Sequence, residues 1–109
     1  MKIGFALTEN KGKESKIAEH FGQAEYLGVY DSKKDDLKIK EIGHGEGCVP
    51  IHMLEKMGAD SVYAYELGIR AMNLCKKFKI KMRTGKYAVV DELIDNLDNL
   101  DNLLESCGH

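Results

Sequence analysis

Residues 24–42, Ala24-Glu25-Tyr26-Leu27-Gly28-Val29-Tyr30-Asp31-Ser32-Lys33-Lys34-Asp35-Asp36-Leu37-Lys38-Ile39-Lys40-Glu41-Ile42, decide the fold. Ala24 to Tyr30 is rich in aromatic and branched residues, the composition of a strand. Leu37 to Ile42 alternates Leu37 and Ile39 with Lys38 and Lys40, the pattern of a strand with one face on a core and the other in water. The polar run Asp31 to Asp36 between them reads as an exposed turn, so the two strands fold back as a hairpin.

Outward from the hairpin the pattern changes. Toward the N-terminus, Ile3, Phe5 and Leu7 alternate within residues 2–7 as a buried opening strand, followed by a polar loop from Thr8 to Ser15 and a turn at Ile17 to Gly22. Toward the C-terminus, Pro50, Met53, Leu54 and Met57 fall at helical spacing before Gly58, a helix stop. Val62 to Tyr65 is a short apolar strand of the kind found inside parallel sheets. After the turn Glu66-Leu67-Gly68, Ala71, Leu74, Cys75 and Phe78 mark a second helix. Ile80, Met82 and Thr84 then alternate with Lys79, Lys81 and Arg83, which suits an edge strand guarded by lysines. Val89 to Glu105 reads as a long acidic helix. Its Leu93, Leu97, Leu100 and Leu104 form one stripe that docks on the sheet, or alternatively on a second copy as a coiled coil, while Asp95, Asp98 and Asp101 stay in water. A hairpin followed by alternating helix and strand implies an α/β fold with a mixed sheet, helices on both faces and right-handed crossovers. Ligands in such sheets bind beyond the carboxyl ends of the strands.

The chain of 109 residues is expected to form a single domain over 1–109. No apolar run approaches the roughly 20 residues of a membrane span, and no export signal is evident, so the expected location is cytoplasmic. A net charge of -2 argues against a nucleic-acid binder driven by phosphate contacts. Three cysteines without an export signal suggest thiols or ligands rather than a disulfide framework.

The chemistry concentrates in Gly43-His44-Gly45-Glu46-Gly47-Cys48-Val49-Pro50-Ile51-His52. Gly45 and Gly47 let the backbone approach a ligand closely, and thiolate and imidazole suit zinc, copper or iron. Cys48 opens a helix, where the dipole favours the thiolate that binds metal; its other reading is a buried cap. His44 shares the loop and could join it. His52 points away from the helix's apolar stripe and is expected to be exposed, and Cys75 belongs to the core stripe of its own helix as a packed thiol. Cys107-Gly108-His109 is either a clamp or a frayed terminus. No pair of Cys-x-x-Cys motifs is present, which disfavours a structural zinc or a four-cysteine iron-sulfur site. One or two protein ligands suit a transient passenger that carries its own sulfides. Lys11, Lys13, Lys16 and Arg70 would offset its negative charge, unless they are ordinary surface.

Ser15-Lys16-Ile17-Ala18-Glu19-His20-Phe21-Gly22-Gln23-Ala24 followed by Tyr26, with Gly68-Ile69-Arg70-Ala71 and Thr84-Gly85 at matching places in the order of elements, resembles the dinitrogenase iron-molybdenum cofactor biosynthesis family. The resemblance covers nearly the whole chain and implies a three-layer ribonuclease H-like fold with a five-stranded mixed sheet. It favours His20 as a metal ligand, the other reading of this residue being a structural histidine bonded to backbone; Cys48, with His44 in support, would join it from the glycine-rich loop. Gly22 and Gly68 belong to its motifs and are expected at the binding site with Gly45 and Gly47. A nuclease, which the fold would allow, is disfavoured because strand one carries no acid for two-metal chemistry. No nucleophile, base and orienting group stand together as a hydrolase would need.

The expected function is that of a non-enzymatic carrier or assembly-associated protein for an iron-sulfur or molybdenum-containing cluster, a molybdenum-copper one among them, transiently bound. Its partners would be a cluster donor or acceptor protein, with no nucleic acid and no membrane. The alternative is an interaction or regulatory module of the same fold without a cofactor. A monomer is expected, with dimerisation through the C-terminal helix as the variant.

Overall fold

The structure, a computed structural model, describes residues 1–21, 24–42 and 49–103, Val49 by its backbone alone. In chain order the regular elements are β1 (Lys2–Leu7), β2 (Tyr26–Asp31), β3 (Asp36–Glu41), α1 (Val49–Lys56), β4 (Ser61–Tyr63), α2 (Ile69–Lys77), β5 (Lys81–Thr84), α3 (Val90–Asp95) and β6 (Asp101–Asn102). They build a mixed sheet in the order β3-β2-β1-β4-β5-β6. β1, β4 and β5 run parallel, while β2, β3 and β6 run antiparallel to their neighbours.

β1 lies in the interior of the sheet, and its alternation sorts the two cores. Ile3, Phe5 and Leu7 point to the face covered by α3, where they meet Tyr30, Tyr63, Val90 and Leu93. Ala6 points to the opposite face with Leu27, Val29 and Val62, beneath Ile51 and Leu54 of α1 and Met72 and Cys75 of α2. Helices therefore cover both faces. The hairpin pairs Tyr26 with Glu41 and Asp31 with Asp36, so β2 starts and β3 ends beside Leu7. Gly28 is required by the packing, because a Cβ there would stand 2.7 Å from Cε1 of the buried Phe5 ring. Gly58 ends the α1 segment at φ +88, a conformation that costs glycine nothing.

The C-terminal region departs from the expected long helix. α3 stops at Asp95, a single 3-10 turn follows at Leu97–Asn99, and Asp101–Asn102 pairs with β5 as a sixth strand. The Asp-Asn-Leu repeat explains the break. Asparagine and aspartate compete with helical backbone bonds, and here Asn96 Nδ2 donates to the Glu92 carbonyl at 2.9 Å while Asn96 itself ends the helix. The open side of β5 offers the chain an alternative set of bonds, among them Leu103 N to the Met82 carbonyl at 3.1 Å. β5 is consequently not the edge strand that its lysines suggested, and the sheet has six strands rather than five.

Leu93, Leu97 and Leu100 of the expected stripe pack together on the α3 face of the sheet, although the helix ends at Asp95, and the neighbouring Leu103 packs on the other face. Leu104 and Cys107-Gly108-His109 lie outside the described residues. Among the described residues, no helix is long and apolar enough to cross a membrane.

Candidate functional site

The carboxyl ends of β1, β4 and β5 share one edge of the sheet, and each strand leaves there into a connecting segment. Ile42 is at the same edge, since its N-H donates to the Glu25 carbonyl at 3.0 Å just before β2. α1 runs back toward the amino edge, where Asp60 N donates to the Lys2 carbonyl at 2.8 Å. Both residues that bound segment 43–48 therefore belong to the carboxyl side. His44, Gly45, Gly47 and Cys48 lie within that segment, outside the described residues, as does Gly22.

The segment after β1 is pinned before it reaches His20. Ser15 is buried and its Oγ accepts a bond from Lys11 N at 2.7 Å. Ile17 N donates to Ala88 O and Ala18 N to Ala6 O, both at 2.8 Å, wedging the chain between β1 and the segment before α3. Phe21 then inserts into the core under α1 and α2. Between these anchors the His20 ring emerges about half-exposed, its Nδ1 3.1 Å from Oε1 of Glu66.

The chain on either side of Glu66 is anchored as well. The Tyr65 hydroxyl donates to the Tyr87 carbonyl at 2.6 Å, and Thr84 Oγ1 donates to Tyr65 O at 3.3 Å. Tyr63 joins the clamp, donating its hydroxyl proton to Tyr87 O at 3.0 Å and accepting from Tyr87 N at 2.9 Å. Leu67, on the other side of Glu66, is buried. Burial pushes the Tyr63 hydroxyl up to about 12. It also raises Tyr65, helped by the negative charges of Glu19 and Glu92.

The basic residues separate. Arg70 is exposed in the first turn of α2, directly after the Glu66 turn. Lys16 is exposed, with its backbone N-H on Glu9 Oε2 at 3.1 Å, and Lys11 Nζ stands 3.6 Å from Glu9 Oε1. Lys13 is directed elsewhere, 3.2 Å from Asp35 in the β2–β3 turn at the far end of the hairpin. Asp35 also accepts from the Tyr30 hydroxyl at 2.6 Å, and these two bonds hold its carboxyl below the usual range. Gly68 caps α2 with ordinary extended dihedrals and nothing within 4 Å of where a Cβ would stand, so it leaves the approach to the helix open.

His52 is exposed and meets Phe78 edge-on with ring centroids 5.4 Å apart. Cys75 is buried, and burial raises its thiol to about 11, so it remains protonated and inert at neutral pH. Among the described residues no three His, Cys, Asp or Glu side chains converge as a metal cage. The described donor at the carboxyl edge is one imidazole with Nε2 directed away from its carboxylate partner. The sequence marks Glu66 only as part of a turn; its position two residues ahead of Gly68-Ile69-Arg70-Ala71 was the available signal.

The small mixed α/β fold has counterparts. Residues 1–100 match the family described as dinitrogenase iron-molybdenum cofactor, and the chain belongs to it. A putative NifB protein from Thermotoga, solved by NMR, shares the fold with a TM-score of 0.81 and 22% identity over 98% of both chains. The apo form of the orange protein from Desulfovibrio gigas superposes with a TM-score of 0.81 and 17% identity, covering 93% of this chain and 91% of the other. No curated protein matches the chain.

Proposed function

We propose that this protein is a non-enzymatic carrier that receives and releases an iron-sulfur or molybdenum-containing cluster at the carboxyl edge of its sheet. The observation that carries the reading is the His20–Glu66 pair: an imidazole presented at that edge, its Nδ1 on a carboxylate, as metal-binding histidines commonly are. Family membership supports the same cargo class. Cys48, with His44 beside it, is the proposed second ligand, in a segment bounded on both sides at that edge. Arg70, Lys11 and Lys16 supply positive charge for an anionic cargo. Lys13 is left out of this set because its Asp35 partner stands in the β2–β3 turn, at the opposite edge of the sheet. The strand order with β2 antiparallel to β1 supports the ribonuclease H-like form of the fold.

Few protein bonds are what a carrier needs. A cluster that brings its own sulfides requires anchoring and charge balance, and a site without a closed cage lets it leave again. The long acidic helix that would favour an interaction module without cofactor is replaced, among the described residues, by a helix of six residues. Anaerobic incubation with iron and sulfide, or with thiomolybdate and copper, is expected to give visible absorption that His20→Ala and Cys48→Ala each weaken. A spectrum that neither substitution alters would sink the proposal.

A further inference from the structure

We infer that Glu66 is a positioning residue that fixes the tautomer and direction of His20, making Nε2 the nitrogen offered to metal. The ligand role of His20 rests on the carrier reading; the ring's tautomer does not. Nδ1 stands 3.1 Å from a carboxylate oxygen of Glu66, within reach of a neutral ring that carries its proton on Nδ1 and donates it there. Its lone pair is then on Nε2. In water a free histidine side chain favours the opposite tautomer, so a protein that needs Nε2 as ligand must supply an acceptor for Nδ1.

The surroundings anchor the backbone on both sides of that acceptor. Tyr65, immediately before Glu66, is bonded to Tyr87 of the β5–α3 connection, and Leu67, immediately after it, is buried. On the histidine side, Ala18 is bonded to Ala6 and Phe21 is packed in the core. Two segments distant in sequence are thus each anchored on both sides of the residue they contribute. A carboxylate on the other ring nitrogen is the usual orienting partner of a metal-bound histidine. Arg70, in the next turn of chain, offsets the charge that Glu66 adds beside an anionic cargo.

Two measurements on the intact protein decide the matter. Nitrogen-15 spectra of the side chain, taken with the ring neutral and no metal added, are expected to show His20 with a protonated Nδ1 and an unprotonated Nε2. Glu66→Gln, whose amide oxygen can still accept, should keep that tautomer; Glu66→Ala should shift the ring toward Nε2-H. Anaerobic titration with thiomolybdate and copper should then give an affinity about tenfold or more lower for Glu66→Ala and close to wild type for Glu66→Gln. Wild-type His20 carrying its proton on Nε2, or an unchanged tautomer in Glu66→Ala, overturns the inference. So does undiminished affinity in Glu66→Ala when His20→Ala weakens binding. If the tautomer responds as expected while His20→Ala leaves the absorption untouched, Glu66 does orient the ring and it is the carrier reading that fails.

Discussion

Gly28 shows how closely single residues are constrained here. It faces the Phe5 ring across the β1–β2 pair, and the missing side chain is the space that the ring occupies. Gly28→Ala is expected to destabilise the protein by about 1–3 kcal/mol, the usual result of overpacking a core against a side chain that cannot swing aside. Denaturant unfolding would show a lower midpoint with an unchanged slope; equal midpoints would mean that the ring can move. Individual side chains were unequally legible. The exposure of His52 and the burial of Cys75 followed from helical periodicity, because each belongs to a regular element whose faces the pattern identifies. Glu66 and Lys13 did not, since each is defined by a partner on another segment, and periodicity carries no information about partners.

Among the elements, the C-terminal region is where local preference and tertiary opportunity compete. A leucine stripe suggested one long helix, yet the asparagines weaken it and the unpaired side of β5 offers bonds to the same residues. Arg83 adds a side-chain bond to Asn102 across the new pair. Truncation after Leu100 is expected to lower stability by about 1–3 kcal/mol, from the lost strand bonds and the partly buried Leu103. The amides of β5 would also lose protection in hydrogen exchange relative to those of β1. Unchanged protection in β5 would show that β6 contributes nothing to holding the edge. The hairpin, by contrast, formed where its pattern placed it, because its two alternations are strong and the turn between them is short.

For the whole molecule, the determining event is the meeting of separate connections at one edge of the sheet. The Tyr63, Tyr65 and Tyr87 clamp joins two of them, and the Tyr30–Asp35–Lys13 group ties the first loop to the hairpin's far end. Both Tyr63 and Tyr30 are pushed up to about 12, Tyr63 chiefly by burial and Tyr30 chiefly by its bond to Asp35. A raised folded-state value means that the folded protein retains these protons longer than the unfolded chain does. Their contribution is complete below the ordinary tyrosine value near 10 and is lost as pH rises toward about 12. Stability measured across that window should fall, and Tyr63→Phe should fall less steeply over it. Parallel curves for the two proteins would show that the Tyr63 proton is not linked to folding.

The sequence by itself determined the alternation of strand and helix, the hairpin, the apolar faces and the family. These are properties of residues near one another in the chain, where the spacing of side chains states which face is buried. The tertiary structure alone decided that His20 meets Glu66, that Lys13 serves the opposite end of the molecule, and that residues 101–102 become a strand. Those outcomes depend on the order of strands across the sheet, which brings distant segments within bonding distance and gives a marginal helix a better use for its backbone.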